Sequence, residues 1–131
     1  MKGFTESSVG EGQRRVLVVE DDSAVARMLR LALGRTGFDV VLADTGGEAL
    51  RRLGSDDIDA VVLDLGLPDD RAGDVLEHLR DPGAPHHPVW VVITAQDRDD
   101  VTRRFGDLGS HFVSKPFDPW HLVERLLPNS S

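Results

Sequence analysis

Ala60-Val61-Val62-Leu63-Asp64 is an unbroken apolar run closed by a carboxylate. A strand with one solvated face alternates apolar and polar residues, whereas a strand covered on both faces stays apolar throughout. The run therefore predicts a buried strand over 59–64, in a parallel sheet with helices on both sides. Upstream, Val16-Leu17-Val18-Val19 leads into Glu20-Asp21-Asp22 and predicts a strand over about 16–20. Phe38-Asp39-Val40-Val41-Leu42-Ala43, Val89-Trp90-Val91-Val92-Ile93 and Phe112-Val113 complete the set. They place further strands over 38–43, 89–94 and 111–114.

The segments between these runs carry helical spacing. Asp22 or Ser23 caps a helix whose apolar positions are Val25, Met28, Leu29, Ala32 and Leu33, and Gly37 stops it. Thr45 caps a second helix through Ala49, Leu50 and Leu53 that ends at Gly54. Gly73 starts a third, holding Val75, Leu76 and Leu79. A weakly patterned fourth is expected over 98–107, with Val101 and Phe105 on one side. Asp118-Pro119 opens a fifth with Leu122, Val123, Leu126 and Leu127, closed by Pro128. Strand and helix alternate five times, with connections short enough for parallel crossovers. The fold class is α/β.

Three separated pieces sit at the C-terminal ends of these strands: Glu20-Asp21-Asp22, Asp64, and Thr94 with Lys115. In a parallel sheet those ends lie along one edge. Clustered carboxylates repel one another unless a hard cation binds, so the arrangement predicts Mg²⁺. A carboxylate beside Mg²⁺ and a lysine is suited to accept a phosphoryl group. Each piece also has a plainer reading. An acidic pair after a strand favours a helix N-terminus, a lone Asp marks a turn, Lys115-Pro116 is a solvated turn, and Thr94 is a strand threonine. Their joint placement at four strand ends favours the site over four coincidences.

Bulk composition sets the bounds. The 131 residues suit one domain with a real core, and 40% hydrophobic with 29% charged residues is ordinary for a globular protein. No apolar run nears the ~20 residues of a membrane helix, and Met1 to Ser8 carries no apolar signal core. The expectation is a cytoplasmic chain without membrane insertion. With no cysteine, disulfides, thiol catalysis and thiolate metal sites are excluded. A net charge of -8 argues against direct nucleic-acid binding through a broad basic face. Residues 1–13 are polar and are read as a flexible tail, 14–127 as the domain and 128–131 as a C-terminal tail.

Val16-Leu17-Val18-Val19-Glu20-Asp21-Asp22, Val61-Val62-Leu63-Asp64-Leu65-Gly66-Leu67-Pro68, Ile93-Thr94-Ala95 and Lys115-Pro116-Phe117 together resemble the receiver domain of bacterial two-component response regulators. The resemblance covers residues 14–127. It implies a doubly wound, five-stranded parallel sheet of order 2-1-3-4-5, a flavodoxin-like (βα)5 sandwich. It implies that Asp64 is the phosphoacceptor, that Asp21 binds Mg²⁺ directly and Glu20 through water, and that Gly66 lends its carbonyl to the metal. Lys115 matches the lysine that contacts the phosphoryl group, Thr94 the switch hydroxyl and Phe112 the switch aromatic, which rotates in on phosphorylation. Pro116 matches a cis proline that aims Lys115 inward. The implied partners are a histidine kinase or phosphotransfer protein and a downstream protein, with a phosphorylation-dependent dimer among the possible outputs. The implied catalysis is confined to the domain's own phosphorylation and dephosphorylation.

Two departures from the family pattern flank the site. The loop between Pro68 and Gly73 is one residue longer than the family pattern, and the stretch from Thr94 to Lys115 is one residue shorter, around Gly109-Ser110-His111. Gly66 and Gln96 occupy positions that tune hydrolysis in the family. The chain ends soon after the fifth helix, so a stand-alone receiver is expected, with a fragment of a larger regulator as the alternative. A phosphorylation-independent pseudo-receiver is a further alternative, disfavoured by the joint presence of Asp21, Asp64, Thr94 and Lys115. An Asp-nucleophile phosphatase requires a general acid where Gly66 stands, and a nucleotide-binding fold requires a Gly-rich loop after the first strand. His86-His87 is read as surface loop, Trp90 as core, and Trp120 as an edge or partner position.

Overall fold

The computed structural model describes residues 13–127. Strands β1 (Arg15–Val19), β2 (Asp39–Ala43), β3 (Ala60–Asp64), β4 (Val89–Thr94) and β5 (Phe112–Ser114) alternate with helices α1 (Ser23–Arg35), α2 (Gly46–Ser55), α3 (Ala72–Arg80), α4 (Arg98–Phe105) and α5 (Pro119–Leu126). All pairings are parallel and the order is β2-β1-β3-β4-β5. The expected tails fall outside the described residues, apart from Gln13, whose side-chain amide donates to the Gly37 carbonyl at 2.9 Å.

The period of two along each strand divides the core between the faces. Leu17, Val19, Val61, Leu63, Val92 and Phe112 pack with Ala49 of α2, Val75, Leu76 and Leu79 of α3, and Val101 of α4. Val16, Val18, Ala60, Val62, Val91, Ile93 and Val113 pack with Leu29 and Leu33 of α1 and Leu122, Val123 and Leu126 of α5. Every residue of β3 is buried, as a strand covered on both faces requires. At ~25 cal/mol per Å² of apolar surface, these two layers supply the main favourable term of folding.

The caps follow the sequence. The Asp22 carboxylate accepts from the Ala24 and Val25 N–H groups, and the Thr45 hydroxyl accepts from Glu48 N–H. Several expected boundaries shift. Helix α4 stops at Phe105 rather than 107, because Gly106 adopts φ 87° and its N–H closes on the Thr102 carbonyl. A 3₁₀ turn over Gly109–His111 takes up the short connection, so β5 begins at Phe112. Met28 is not a core position. Ala26, Leu29, Ala32 and Leu33 form the buried face of α1, and Met28 lies at its margin, 37% exposed. Leu127 lies just past α5 and is exposed.

Candidate functional site

The order of strands reverses between β1 and β3, and the loops leaving their C-terminal ends diverge there to open a crevice. Glu20 and Asp21 follow β1, Asp64 is the last residue of β3, Thr94 ends β4, and Lys115 follows β5. The side chains of Glu20, Asp21, Asp64 and Lys115 reach one place, and Thr94 joins them through the backbone of Lys115. Glu20, Asp21 and Asp64 each put a carboxylate oxygen within 4.8 Å of the others. The Lys115 ammonium lies 3.1 Å from Glu20 Oε1 and 3.5 Å from Asp64 Oδ2. Its backbone N–H donates to the Thr94 carbonyl at 2.8 Å, and the Lys115–Pro116 peptide is cis.

Backbone groups hold the carboxylates in place. Glu20 Oε2 accepts from Asp22 N–H, and Asp64 Oδ1 accepts from Gly66 N–H at 3.1 Å. Glu20 and Asp64 are buried, whereas Asp21 is exposed at the mouth. Burial pushes the Glu20 carboxyl above its ordinary range, and the Asp64 charge adds to this; the Asp22 N–H and Lys115 pull the other way and lose. For Lys115, burial favours the neutral amine, but the hydrogen bond to Glu20 and the Asp64 charge outweigh it and raise its pKa. Three carboxylates face one ammonium, and every donor is a hard oxygen. That set suits a hard divalent cation.

The raised Glu20 pKa has a measurable consequence. The folded state holds this proton more tightly than the unfolded state, so stability falls as pH rises from the ordinary value of 4.5 through the folded value. In chelator, Glu20→Gln is expected to be more stable than the wild type above that window and equal to it below. Urea unfolding across pH measures the difference. A variant less stable than the wild type at pH 7 would mean that the attraction of Lys115 outweighs burial.

Thr94 is 2% exposed, and its Oγ1 accepts from Gln96 N–H at 3.0 Å, which leaves the hydroxyl proton available to donate. Phe112 differs from expectation. Its ring is already buried with Val92, Val101 and Leu108, under the Arg98 guanidinium 4.4 Å from its centroid. A swing inward from solvent is therefore not the movement this conformation starts from.

Other contacts were not legible in the sequence. Trp90 is half-buried, and the His111 ring stacks on it at 3.6 Å, with Nδ1 2.7 Å from the Trp90 carbonyl. The Asp69 carboxylate bridges to the start of α2, at Gly46 and Gly47 N–H. His86 and His87 lie exposed in their loop, and Trp120 is 49% exposed.

Comparison with known proteins agrees with this geometry. The family model of the response regulator receiver domain matches residues 16–127. The transcriptional regulatory protein KdpE of Mycobacterium tuberculosis is 38% identical over 111 residues, which are 85% of this chain and 48% of that protein. Response regulator MprA of Mycolicibacterium vanbaalenii is 40% identical over 115 residues, 86% of this chain and 48% of that protein. The chain thus spans about half the length of the curated relatives it matches. A CheY-like response regulator receiver domain from Methanospirillum hungatei superposes with a TM-score of 0.71 at 25% identity, covering 87% of this chain and 90% of that one. With a fold of order 2-1-3-4-5, a carboxylate cluster at its switch point and a family match along almost its whole length, the chain belongs to the response regulator receiver domain family.

Proposed function

We propose that Asp64 is the phosphoacceptor of this receiver, taking a phosphoryl group from the phosphohistidine of a histidine kinase or phosphotransfer protein. The observation that carries this reading is the Asp64 carboxylate, buried at the switch point between the Lys115 ammonium and the Glu20–Asp21 pair. A carboxylate oxygen attacks phosphorus, the N–P bond breaks with its electron pair returning to the imidazole, and an acyl phosphate forms. Water later attacks the phosphorus and restores the carboxylate. The chain catalyses these two steps on itself and no other turnover.

Asp21 and Asp64 carboxylates, the Gly66 carbonyl and, through water, Glu20 would hold Mg²⁺. The ion supplies charge neutralisation for the phosphoryl oxygens. Lys115, 3.5 Å from Asp64, would offset the remaining charge, and the Thr94 hydroxyl would donate one hydrogen bond to the product. Attraction of Thr94 and Lys115 to the new group moves β4 and β5, and with them Phe112 and the face of α4 and α5. In this reading Phe112 is released or tightened beneath Arg98 rather than brought in from solvent. A downstream protein, or a second copy of the chain, reads that face. A second reading rests on relatives such as KdpE, named as a transcriptional regulatory protein and longer than this chain: the same switch would act on an attached domain.

Intact-mass analysis after incubation with acetyl phosphate tests the proposal. The expected result is one phosphoryl adduct with Mg²⁺ and none in chelator. Failure to bind Mg²⁺ and to form the adduct would favour a phosphorylation-independent interaction module.

A further inference from the structure

The loop that follows Asp64 carries Gly66 and then runs out over the start of α2. Leu65 and Leu67 are buried in the core, so two side chains pin its first half. A turn closes from Asp70 N–H to the Leu67 carbonyl at 3.1 Å, and Asp70 takes φ 57°, in the left-handed region where a residue with a Cβ is uncommon. The turn aims Asp69 at the first two residues of α2. Asp69 Oδ1 accepts from Gly46 N–H at 3.0 Å, and Oδ2 accepts from Gly47 N–H at 2.9 Å.

The contact is close on its other side as well. Gly46 is buried, and a Cβ there would stand 2.7 Å from the Arg71 Cβ and 2.9 Å from the Arg71 carbonyl oxygen. Only glycine allows α2 to come this near the loop backbone. The Asp69 carboxyl lies below its ordinary range, held there chiefly by the Gly47 N–H. Loop and helix therefore interlock through Asp69 on one side and the bare Cα of Gly46 on the other. The Asp70–Arg104 ion pair is exposed and adds little.

We infer that Asp69 is a positioning residue: by locking the loop against Gly46 and Gly47 of α2, it sets the Gly66 carbonyl for the metal. This rests on the reading of Gly66 as a metal ligand in the proposed function. Loss of groups hydrogen-bonded to metal ligands weakens metal binding; Asp69 acts one step further out, on the backbone of the loop that carries Gly66.

Isothermal titration of metal-free chain with Mg²⁺ tests it, alongside amide hydrogen exchange at Gly46 and Gly47 without metal. Asp69→Ala is expected to raise the Mg²⁺ dissociation constant roughly 10-fold, the lower end of the effect of outer partners, and to speed exchange at both glycines. Asp69→Asn keeps one acceptor oxygen and falls between. Asp70→Asn removes the same charge next door, leaves the lock, and stays near wild type. Gly46→Ala repeats the defect, and the Asp69→Ala/Gly46→Ala pair is no worse than the larger single change, since both open one interlock. The inference is overturned if Asp69→Ala lowers the melting temperature without changing Mg²⁺ affinity, or if Asp70→Asn weakens binding as much. A wild-type chain that binds no Mg²⁺ removes the metal reading and this role with it. In that case normal protection of Gly46 and Gly47 would still identify the lock as purely structural.

Discussion

Asp64→Asn is expected to leave the chain unable to take up a phosphoryl group and, at the same time, to make the metal-free protein more stable. The first effect follows from chemistry. An amide oxygen is a poor nucleophile and its acyl phosphate analogue does not form, so incorporation from acetyl phosphate falls by ~10³-fold or more. The second follows from geometry. Asp64 is 6% exposed and its charge helps push the Glu20 carboxyl upward. With a neutral amide in its place, Lys115 faces one carboxylate rather than two, while the amide oxygen can still accept from Gly66 N–H. The gain should appear as a higher melting temperature in chelator, each kcal/mol being worth about 4 °C for a domain of this size. Wild type should recover stability as Mg²⁺ is added, by an amount set by the ratio of free ion to dissociation constant, and the variant much less. Scanning calorimetry in chelator and in Mg²⁺, with intact mass after acetyl phosphate, measures both. An adduct on the variant would mean that another residue accepts the phosphoryl group. A lower melting temperature in chelator would mean that Asp64 is held by net attraction.

Lys115→Met acts in the opposite direction on stability. It removes the ammonium 3.1 Å from Glu20 and 3.5 Å from Asp64, leaving two buried carboxylates to face each other. Breaking a buried pair by removing one partner costs about 3–5 kcal/mol, and the partial exposure of this lysine brings the expectation to about 2–3 kcal/mol in chelator. Mg²⁺ should restore part of the loss, because a divalent cation neutralises the same oxygens. Phosphoryl uptake at saturating Mg²⁺ should still fall by about 10²-fold, as for loss of one donor to a developing charge. The Asp64→Asn/Lys115→Met double variant should be more stable than Lys115→Met alone, since only one carboxylate then remains unpaired. Urea unfolding of the four proteins gives that coupling. Equal stability of Lys115→Met and wild type in chelator would show that the lysine contributes nothing to holding the two acids together.

These two expected effects oppose because one variant removes a member of the carboxylate cluster and the other removes the ammonium that holds it together. Elsewhere the polar groups serve the fold. Asp22 and Thr45 complete helix ends, and Val16 to Val19 of β1 and Ala60 to Leu63 of β3 fill the core with apolar side chains alone.

How much of this was legible in the sequence depends on range. The Ala60 to Asp64 run declares a strand covered on both faces because burial and the period of two are local properties. The capping acids and the stop glycines act within one helical turn and are equally local. Boundaries were less legible. Gly106 was a glycine inside an expected helix, and only its turn to φ 87° ends α4 at Phe105. Met28 matched helical spacing as well as Ala26 did, and which of them faces the sheet depends on where α1 docks.

The sequence by itself determined five strand–helix units and placed Glu20, Asp21, Asp64, Thr94 and Lys115 at strand ends, because each strand end follows from its own apolar run. That those ends form one crevice came from resemblance to a family and from the observed order 2-1-3-4-5. The tertiary structure alone decided that Lys115 pairs with Glu20 across 95 residues, that Asp69 locks the loop to α2 across 22 and 23, that His111 stacks on Trp90, and that Arg98 closes over a buried Phe112. Such contacts depend on the distance and angle between packed elements. Local periodicity carries which face is buried, but not which side chain stands opposite.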